Sequence, residues 1–150
     1  MIRLLRYYTK SMPNKRVHDW VLVGVAGGIV ASGPLAGPLV IPAAVGVLTG
    51  LAISPDLDLA DQRPGTLWNR YWWVYSMLIT HRHPLSHMPG ISTMVRLVYL
   101  PIIPLFAWLT LAGHVSELGW WIFRWWFIGL CLADLVHVAL DITVSYWRKI

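Results

Sequence analysis

The sequence predicts an all-α membrane protein with four transmembrane helices and one interfacial amphipathic helix. The first observation is composition: of 150 residues, 57% are hydrophobic and only 13% are charged. So few charged side chains cannot cover the surface of a soluble domain of this size. The apolar residues also form long runs, and the chain has ten Trp, a residue that concentrates where membrane helices meet lipid headgroups. We therefore expect one multi-pass membrane domain over residues 1–150.

The first 16 residues are expected to form a short interfacial arm. The arm carries five basic residues among apolar and aromatic side chains: Arg3, Arg6, Lys10, Lys15 and Arg16. This mixture is typical of segments that lie on anionic headgroups. A basic segment followed by an apolar run also fits a cleaved secretory signal, and that alternative stays open.

The first long apolar run, residues 20–53, is predicted to be a helical hairpin. A single helix of that length would measure roughly 50 Å, whereas the hydrocarbon core of a bilayer is about 30 Å thick. Gly-Pro pairs at 33–34 and 37–38 supply the turn, which leaves helices over 19–31 and 39–53. Both are rich in Gly and Ala, a composition that favours close helix packing. Two crossings are expected, and a re-entrant hairpin that never crosses is the alternative.

The aromatic segment 67–79 is predicted to be an amphipathic helix lying in the interface. Its apolar and aromatic residues recur at helical spacing: Leu67, Trp68, Tyr71, Trp72, Tyr75, Leu78 and Ile79. Rings at headgroup depth would anchor this helix to the bilayer. A role in stacking on a cofactor is the alternative.

Two further spans are predicted over residues 91–112 and 120–144. Pro101 and Pro104 are expected to kink the first of them, and Arg96 lies near enough to its start to reach the interface. Lys and Arg are absent from the two turns 32–38 and 113–119 but occur at both termini and in the central loop. By the positive-inside rule, both termini and the central loop are cytoplasmic. The net charge of +5 favours contact with anionic membrane lipid, and no nucleic-acid partner is expected.

Metal-ligating residues gather at this cytoplasmic face. Seven are candidates: His18, Asp56, Asp58, His81, His87, His137 and Asp141. A mixture of imidazole and carboxylate is the ligand set that Zn, Mn or Fe prefers. Each motif alone has an ordinary explanation, since an Asp-x-Asp pair is usually a solvated turn and a His pair is usually a surface feature. Their coincidence on one face predicts a site for one or two divalent transition metal ions, with Zn the first choice.

The last predicted span carries three ionisable residues on one stripe. Asp134, His137 and Asp141 are separated by three and four residues, so they share one helical face. Ionisable groups within a span usually face the bundle interior and have a partner there. We expect Asp134 to be a buried, hydrogen-bonded residue that orients a metal ligand, with direct ligation as the alternative. Arg124, near the other end of the span, is expected to snorkel or to pair within the bundle.

The chain resembles the cyanobacterial-type metal-binding membrane proteins of unknown function, which are distant relatives of membrane-bound metal-dependent hydrolases described as LexA-binding inner-membrane proteins. The resemblance runs over residues 18–141 and rests on four motifs: His18-Asp19, Ser54-Pro55-Asp56-Leu57-Asp58-Leu59, the box from His81-Arg82 to Ser86-His87, and His137 to Asp141. It implies metal binding, hydrolysis and a place in the bacterial inner membrane. His83 stands where the family box tends to have a small residue, which leaves His81 and His87 as the better ligands.

Seven ligands exceed the three or four protein ligands of one zinc ion, so a two-metal centre with a bridging carboxylate is expected. In this hypothesis Asp56 and Asp58 bridge the ions or accept a proton, and Arg82 neutralises a phosphate group. The site lies at headgroup depth, so a phospholipid or isoprenoid phosphoester is the expected substrate class.

A non-catalytic function competes with this hypothesis. One closed zinc site formed by His18, Asp58, His87 and Asp141 would tie the helix ends together and stabilise the bundle. Such a protein would serve as a scaffold or bind a partner. Haem held by two histidines suits the sequence poorly, because the imidazoles lie at helix ends among carboxylates.

Overall fold

The structure is a computed structural model that describes residues 15–33, 37–38, 40–54, 67–79 and 88–147. These residues form six helices and no strand. The helices are α1 (Lys15–Ala31), α2 (Val40–Ala52), α3 (Leu67–Leu78), α4 (Ile91–Tyr99), α5 (Ile102–Leu111) and α6 (Glu117–Trp147). Four of them coincide with predicted helices to within a few residues, and α4 and α5 together occupy the predicted span 91–112. The all-α prediction is confirmed for the described part of the chain.

The 31-residue helix α6 is the element against which the core is built. Leu130 and Ala133 lie on this helix at 0% and 2% exposure, and each belongs to a different apolar cluster. Leu130 packs with buried residues of α3, of α4 and of the end of α2: Ile53, Trp72, Tyr75 and Leu97. Ala133 packs with buried residues of α1 and α2: Leu22, Ala26, Ala44 and Val47. α6 therefore joins the α1–α2 hairpin on one side to α3 and α4 on the other.

Helices α2 and α6 approach each other so closely that their backbones touch. Ala43 lies against Gly129 and Gly50 lies against Ala133, so the two helices run in the same direction. A Cβ on Gly46 or on Gly129 would overlap a backbone carbonyl oxygen of the other helix. Small residues of α2 thus produce close helix packing, but against α6, whereas the sequence predicts it within the hairpin. Gly24, Gly27 and Gly28 of α1 have space around them, since a Cβ there would meet nothing within 4 Å.

The predicted third span is divided into α4 and α5, which meet at an angle of 77°. Pro101 lies at the break, because proline has no N–H to donate and its ring clashes with the preceding helical turn. Pro104 lies in the first turn of α5, where a proline is tolerated, and it adds no second kink. One of the two prolines therefore accounts for the bend.

The described helices do not provide four membrane spans. By length and composition, α6 qualifies over the 28 residues Glu117–Val144, whose most apolar 18-residue window has a mean hydropathy of 1.9. The bent pair α4 and α5 qualifies only if its two halves act as one span. Helices α1 and α2 have 17 and 13 residues, which correspond to about 26 and 20 Å against a hydrocarbon core of about 30 Å. The prediction of four spans is corrected to one, or to two with the bent pair. The Gly-Pro turn divides the first apolar run into pieces that are each too short.

The aromatic face of α3 packs against protein. Trp72 and Tyr75 are 0% and 1% exposed, and the ring of Tyr99 on α4 lies 5.6 Å from the first and 5.0 Å from the second. The Tyr99 hydroxyl donates a hydrogen bond of 2.6 Å to the carbonyl of Tyr71. The prediction of an interfacial aromatic face is wrong for Trp72 and Tyr75. Helical spacing identifies an apolar face, but it does not say whether lipid or protein covers that face.

Candidate metal centre

Three of the predicted ligands meet between the start of α1 and the second half of α6. Nε2 of His18 lies 3.5 Å from Oδ1 of Asp141, and Nε2 of His137 lies 3.5 Å from Oδ2 of the same carboxylate. The two imidazole rings are 4.2 Å apart between centroids and inclined by 60°. One carboxylate therefore lies between two imidazole nitrogens.

Local helix geometry explains how these residues are brought together. His137 and Asp141 are one helical turn apart on α6, so their side chains project from the same face. His18 lies in the first turn of α1, and α1 packs along this part of the bundle through Leu22 and Ala26, which contact the cluster around Ala133. The hairpin thus places the start of α1 beside the second half of α6.

The donor set fits a divalent transition metal ion. Ligand atoms at about 2.0–2.1 Å from a tetrahedral ion lie about 3.3 Å from each other. The separations of 3.5 Å differ from this value by only a few tenths of an ångström, and one ligand atom from each of the three residues falls within 4.8 Å of the others. Two histidines and one carboxylate are also the chemistry of zinc and of non-haem iron sites.

Burial makes this arrangement more than a surface cluster. The His18 and His137 side chains are 5% and 3% exposed, whereas Asp141 is 22% exposed. Burying polar imidazoles is unfavourable unless their nitrogen atoms are paired, and here both Nε2 atoms face the Asp141 carboxylate. Asp141 is the most exposed of the three side chains among the described residues.

The remaining predicted ligands and catalytic residues lie outside the described residues. These are Asp56, Asp58, His81, Arg82 and His87, together with His83. Their assignments stay predictions. Asp19, the neighbour of His18 in the first motif, is half-buried and is not a member of the cluster.

Asp134 belongs to a buried polar network with α4, although the sequence predicts that it orients a metal ligand. Its Oδ2 accepts hydrogen bonds from the hydroxyls of Ser92 and Thr93 and from the Arg96 guanidinium, all three on α4. Arg96 also donates to the backbone carbonyl of Ile53 at the end of α2. Asp134 is buried and hydrogen-bonded, as predicted, but its described partners are residues of α4 and not metal ligands.

Arg96 is the residue that sequence reasoning misplaced. The sequence predicts that Arg96 reaches the membrane interface, yet its side chain is 1% exposed and forms an ion pair with Asp134. The sequence does contain an indication of this pair. Arg96 and Asp134 lie in two separate apolar runs, and a charged group in such a run needs a partner of opposite charge. Ser92, Thr93 and Arg96 also share one face of α4.

The fold and the site define an all-helical protein with a two-histidine, one-carboxylate site suited to a divalent cation. The chain belongs to the family of uncharacterized metal-binding proteins (DUF2227), whose family profile matches residues 13–126. It is also 29% identical, over 132 residues, to an uncharacterized protein of Aquifex aeolicus (strain VF5), an alignment that covers 73% of this chain and 94% of the relative. No solved structure matches the chain.

The family match and the described site overlap only in part. Residues 13–126 include His18 and the predicted ligands between Asp56 and His87, but they end before His137 and Asp141. Two of the three residues that the fold brings together therefore lie beyond the matched segment.

Proposed function

We propose that this protein is a membrane-embedded, metal-dependent hydrolase that cleaves a phosphoester at the cytoplasmic membrane surface. The observation that carries the proposal is the convergence of His18, His137 and Asp141, with both imidazoles buried and the carboxylate 22% exposed. Two histidines and one carboxylate form a ligand set that is typical of catalytic zinc sites, whereas structural zinc sites usually have four ligands and include cysteine. Zn is the first choice of metal, and Mn or Fe is the alternative.

The two described segments that flank the remaining predicted ligands both end near Asp134. The Ile53 carbonyl accepts a hydrogen bond from Arg96, and the Met88 carbonyl accepts one of 2.9 Å from the Ser92 N–H. Arg96 and Ser92 both contact Asp134, which is one helical turn from His137. The chain thus leaves the described region after residue 54 and re-enters it at residue 88 near the Arg96–Asp134 pair, which lies one helical turn of α6 from His137.

An extended chain advances at most about 3.3–3.6 Å per residue. Asp56 and Asp58 follow the first of these points by a few residues, and His87 directly precedes the second. We propose that they complete the metal centre, with His81 as a further ligand, which would accommodate a second ion. Two ions about 4 Å apart are typical of phosphoester hydrolases.

The chemistry would be divided among the side chains in the following way. The metal would supply Lewis acidity and a water that ionises near neutral pH. Arg82 would pair with the phosphate oxygens, and Asp56 or Asp58 would accept the proton of the attacking water. Asp141, held between two imidazoles, would bind the metal through its carboxylate together with His18 and His137.

The exposure of α6 supports membrane embedding. Only 28% of its most apolar 18-residue window is buried within the protein, so large apolar side chains such as Ile128, Leu135 and Ile142 face outward. Trp121 and Tyr146 are also exposed and lie 25 residues apart, about 38 Å along the helix. An apolar band between two aromatic ends matches a bilayer with its interfaces.

The dimensions of the α1–α2 hairpin favour the re-entrant alternative. Ala43, near the start of α2, lies against Gly129, which is 12 residues or about 18 Å from Asp141 along α6. α6 continues for another 12 residues to Glu117. We propose that the hairpin enters from the metal side without crossing, and that the bent pair α4 and α5 crosses once and α6 crosses back. Both termini then lie on the cytoplasmic side of a bacterial inner membrane.

The proposal is tested with purified protein loaded with Zn or Mn and a panel of phosphatidic acid, phosphatidylglycerol phosphate and isoprenoid phosphates. Phosphate release by the wild type, with loss in His137→Ala and in Asp56→Asn, is the expected result. His114→Ala is the matched control, because this exposed histidine lies in the turn before α6, remote from the centre. Absence of turnover above the His137→Ala background on every substrate would overturn the hydrolase assignment.

A structural role for the metal is the second candidate, and one observation favours it. The three described ligands come from α1 and from α6, so an ion bound by them would tie together two helices that are far apart in the sequence. If no substrate turns over but removal of the metal lowers the melting temperature sharply, this role replaces the catalytic one.

A further inference from the structure

An apolar cleft lies at the end of the bundle opposite the metal centre. It has a volume of about 240 Å³ and is lined only by carbon atoms of α4, α5 and α6, among them Met94, Ile103, Phe106, Trp120, Phe123 and Phe127. The cleft exists because the 77° bend at Pro101 turns α5 away from α4, which leaves a corner against α6 that side chains fill only in part. Along α6, Phe127 and His137 are ten residues apart, about 15 Å.

Aromatic stacking gives this cleft a defined shape. Phe106 of α5 stacks on Phe123 of α6 with ring centroids 3.9 Å apart and planes inclined by 12°. Trp120 meets the edge of Phe106 at 4.9 Å. These contacts join α5 to α6, so the aromatic wall is held from two helices.

A cation, Arg124, lies one helical turn along α6 from Trp120, a residue of the cleft wall. The Arg124 guanidinium is over the rings of Trp120 and Trp121, at 5.6 and 5.5 Å from their centroids. Arg124 is exposed and forms no ion pair with any carboxylate in the described part of the chain. The nearest acidic residue along α6 is Glu117, two turns away. The cleft thus has apolar walls, and near its Trp120 lies a positive charge that has no carboxylate partner among the described residues.

We propose that this cleft binds an acyl chain of an anionic phospholipid whose phosphate contacts Arg124. The volume is below the range of about 300–1,000 Å³ that is typical of compact small-molecule sites, which suits a slender alkyl chain. A helix of a second copy, about 10–12 Å wide, is too broad for it. The tryptophans beside Arg124 place the guanidinium at headgroup depth, where phosphate is available. This inference rests on the membrane embedding proposed above.

Native mass spectrometry of detergent-solubilised full-length protein tests the proposal. The probes are phosphatidylglycerol and phosphatidylcholine, each with palmitoyl and oleoyl chains. We expect one phosphatidylglycerol retained per chain and about tenfold weaker retention of phosphatidylcholine. We also expect about tenfold weaker retention of phosphatidylglycerol in Arg124→Gln, the scale of one lost charge-assisted hydrogen bond.

Ala107→Trp fills the cleft from its α5 wall and should abolish retention. Leu111→Trp is the matched control, since Leu111 is 89% exposed and does not line the cleft. Equal retention of the two lipids, or unchanged retention in Ala107→Trp, would overturn the proposal.

Photolabelling of the wild-type protein tests the site without relying on the folding of any variant. Phosphatidylglycerol with a photoactivatable diazirine in its acyl chain should label peptides that contain Ala107 and Phe123. Labelling confined to the outward face of α5, around Leu105 and Trp108, would refute the site. Alkaline carbonate extraction of membranes reports embedding independently, so loss of lipid retention in a protein that resists extraction counts against the cleft alone.

Discussion

Arg96 of α4 and Asp134 of α6 form an ion pair in which both side chains are 1% exposed. Three residues of α4 donate hydrogen bonds to one carboxylate oxygen of Asp134. The Arg96 guanidinium also donates to the backbone carbonyl of Ile53, the residue that follows α2. The pair therefore connects α2, α4 and α6 at one point. Because His137 of the candidate metal centre lies one helical turn beyond Asp134, the network also fixes the helix that carries two of the three residues of that centre.

Breaking this pair on one side should be strongly destabilising. Arg96→Met leaves a buried carboxylate without its cation, and Asp134→Asn leaves a buried guanidinium without its anion, so each should lower the free energy of unfolding by about 3–5 kcal/mol. Thermal or denaturant unfolding in detergent, followed by Trp fluorescence, measures the loss.

The double variant Arg96→Met with Asp134→Asn removes both charges and should be more stable than either single variant. Arg124→Met, at an exposed arginine of α6, is the control and should change stability little. Additive losses in the double variant would show that the two residues are not energetically coupled.

Close packing of α2 on α6 makes two glycines indispensable. Gly46→Ala or Gly129→Ala would force a methyl group into a backbone carbonyl oxygen of the neighbouring helix, and backbone cannot rotate away as a side chain can. We expect each substitution to cost about 1–3 kcal/mol of stability through overpacking.

Gly24→Ala is the matched control for this prediction, because a Cβ at Gly24 meets nothing within 4 Å. Alanine in a helix interior is favoured over glycine by about 0.5–1 kcal/mol, so this variant should be neutral or slightly stabilised. A similar loss in all three alanine variants would mean that the α2–α6 contact is not responsible.

The helices could be predicted from the sequence because their determinants are local. Apolar periodicity located α3, the Gly-Pro pairs located the turn between α1 and α2, and proline located the break before α5. The pairing of His137 with Asp141 was equally accessible, since a spacing of four residues stacks side chains on one helical face.

What the sequence did not provide depends on contacts between distant segments. Arg96 and Asp134 are 38 residues apart, and their pairing follows from how α4 lies on α6. The burial of Trp72 depends in the same way on Tyr99 and on the other helices that cover it. Membrane crossing was overestimated because an apolar helix of 13 residues serves equally well in a hairpin that packs on α6.

Bound metal should stabilise the fold, since the ligands belong to separate helices. An ion at about 1,000 times its dissociation constant adds about 4 kcal/mol to the free energy of unfolding. Melting curves of metal-loaded protein with and without a chelator measure this difference. His18→Ala should abolish the effect of the chelator.

The control for His18→Ala is Asp19→Ala, the adjacent residue, which is half-buried and outside the cluster. It should respond to chelator as the wild type does. If His18→Ala retains the full metal-dependent shift, then His18 is not a ligand and the site must be formed without α1.

The α1–α2 hairpin either is re-entrant or crosses the membrane twice. Labelling of introduced cysteines in a Cys131→Ala background distinguishes the two arrangements. His114→Cys places a cysteine in the turn before α6. Ser116 in the same turn is a less suitable position, because its hydroxyl accepts a hydrogen bond of 3.2 Å from the Gly119 N–H. An impermeant maleimide should reach position 114 from the outside of intact cells and a cysteine at position 149 only after permeabilisation.

Position 37 then decides the topology of the hairpin, because the two arrangements place it at different depths. A re-entrant hairpin of helices that run about 20 Å should leave Gly37→Cys inside the bilayer, unlabelled by the impermeant reagent from either side. A hairpin that crosses twice would expose it on the same side as position 114. The positive φ of 78° at Gly37 disfavours a side chain there, so Pro38→Cys repeats the measurement at the adjacent residue. If positions 37 and 38 are both labelled from the outside, the chain crosses the membrane four times. The re-entrant arrangement inferred from the contact between α2 and α6 is then wrong.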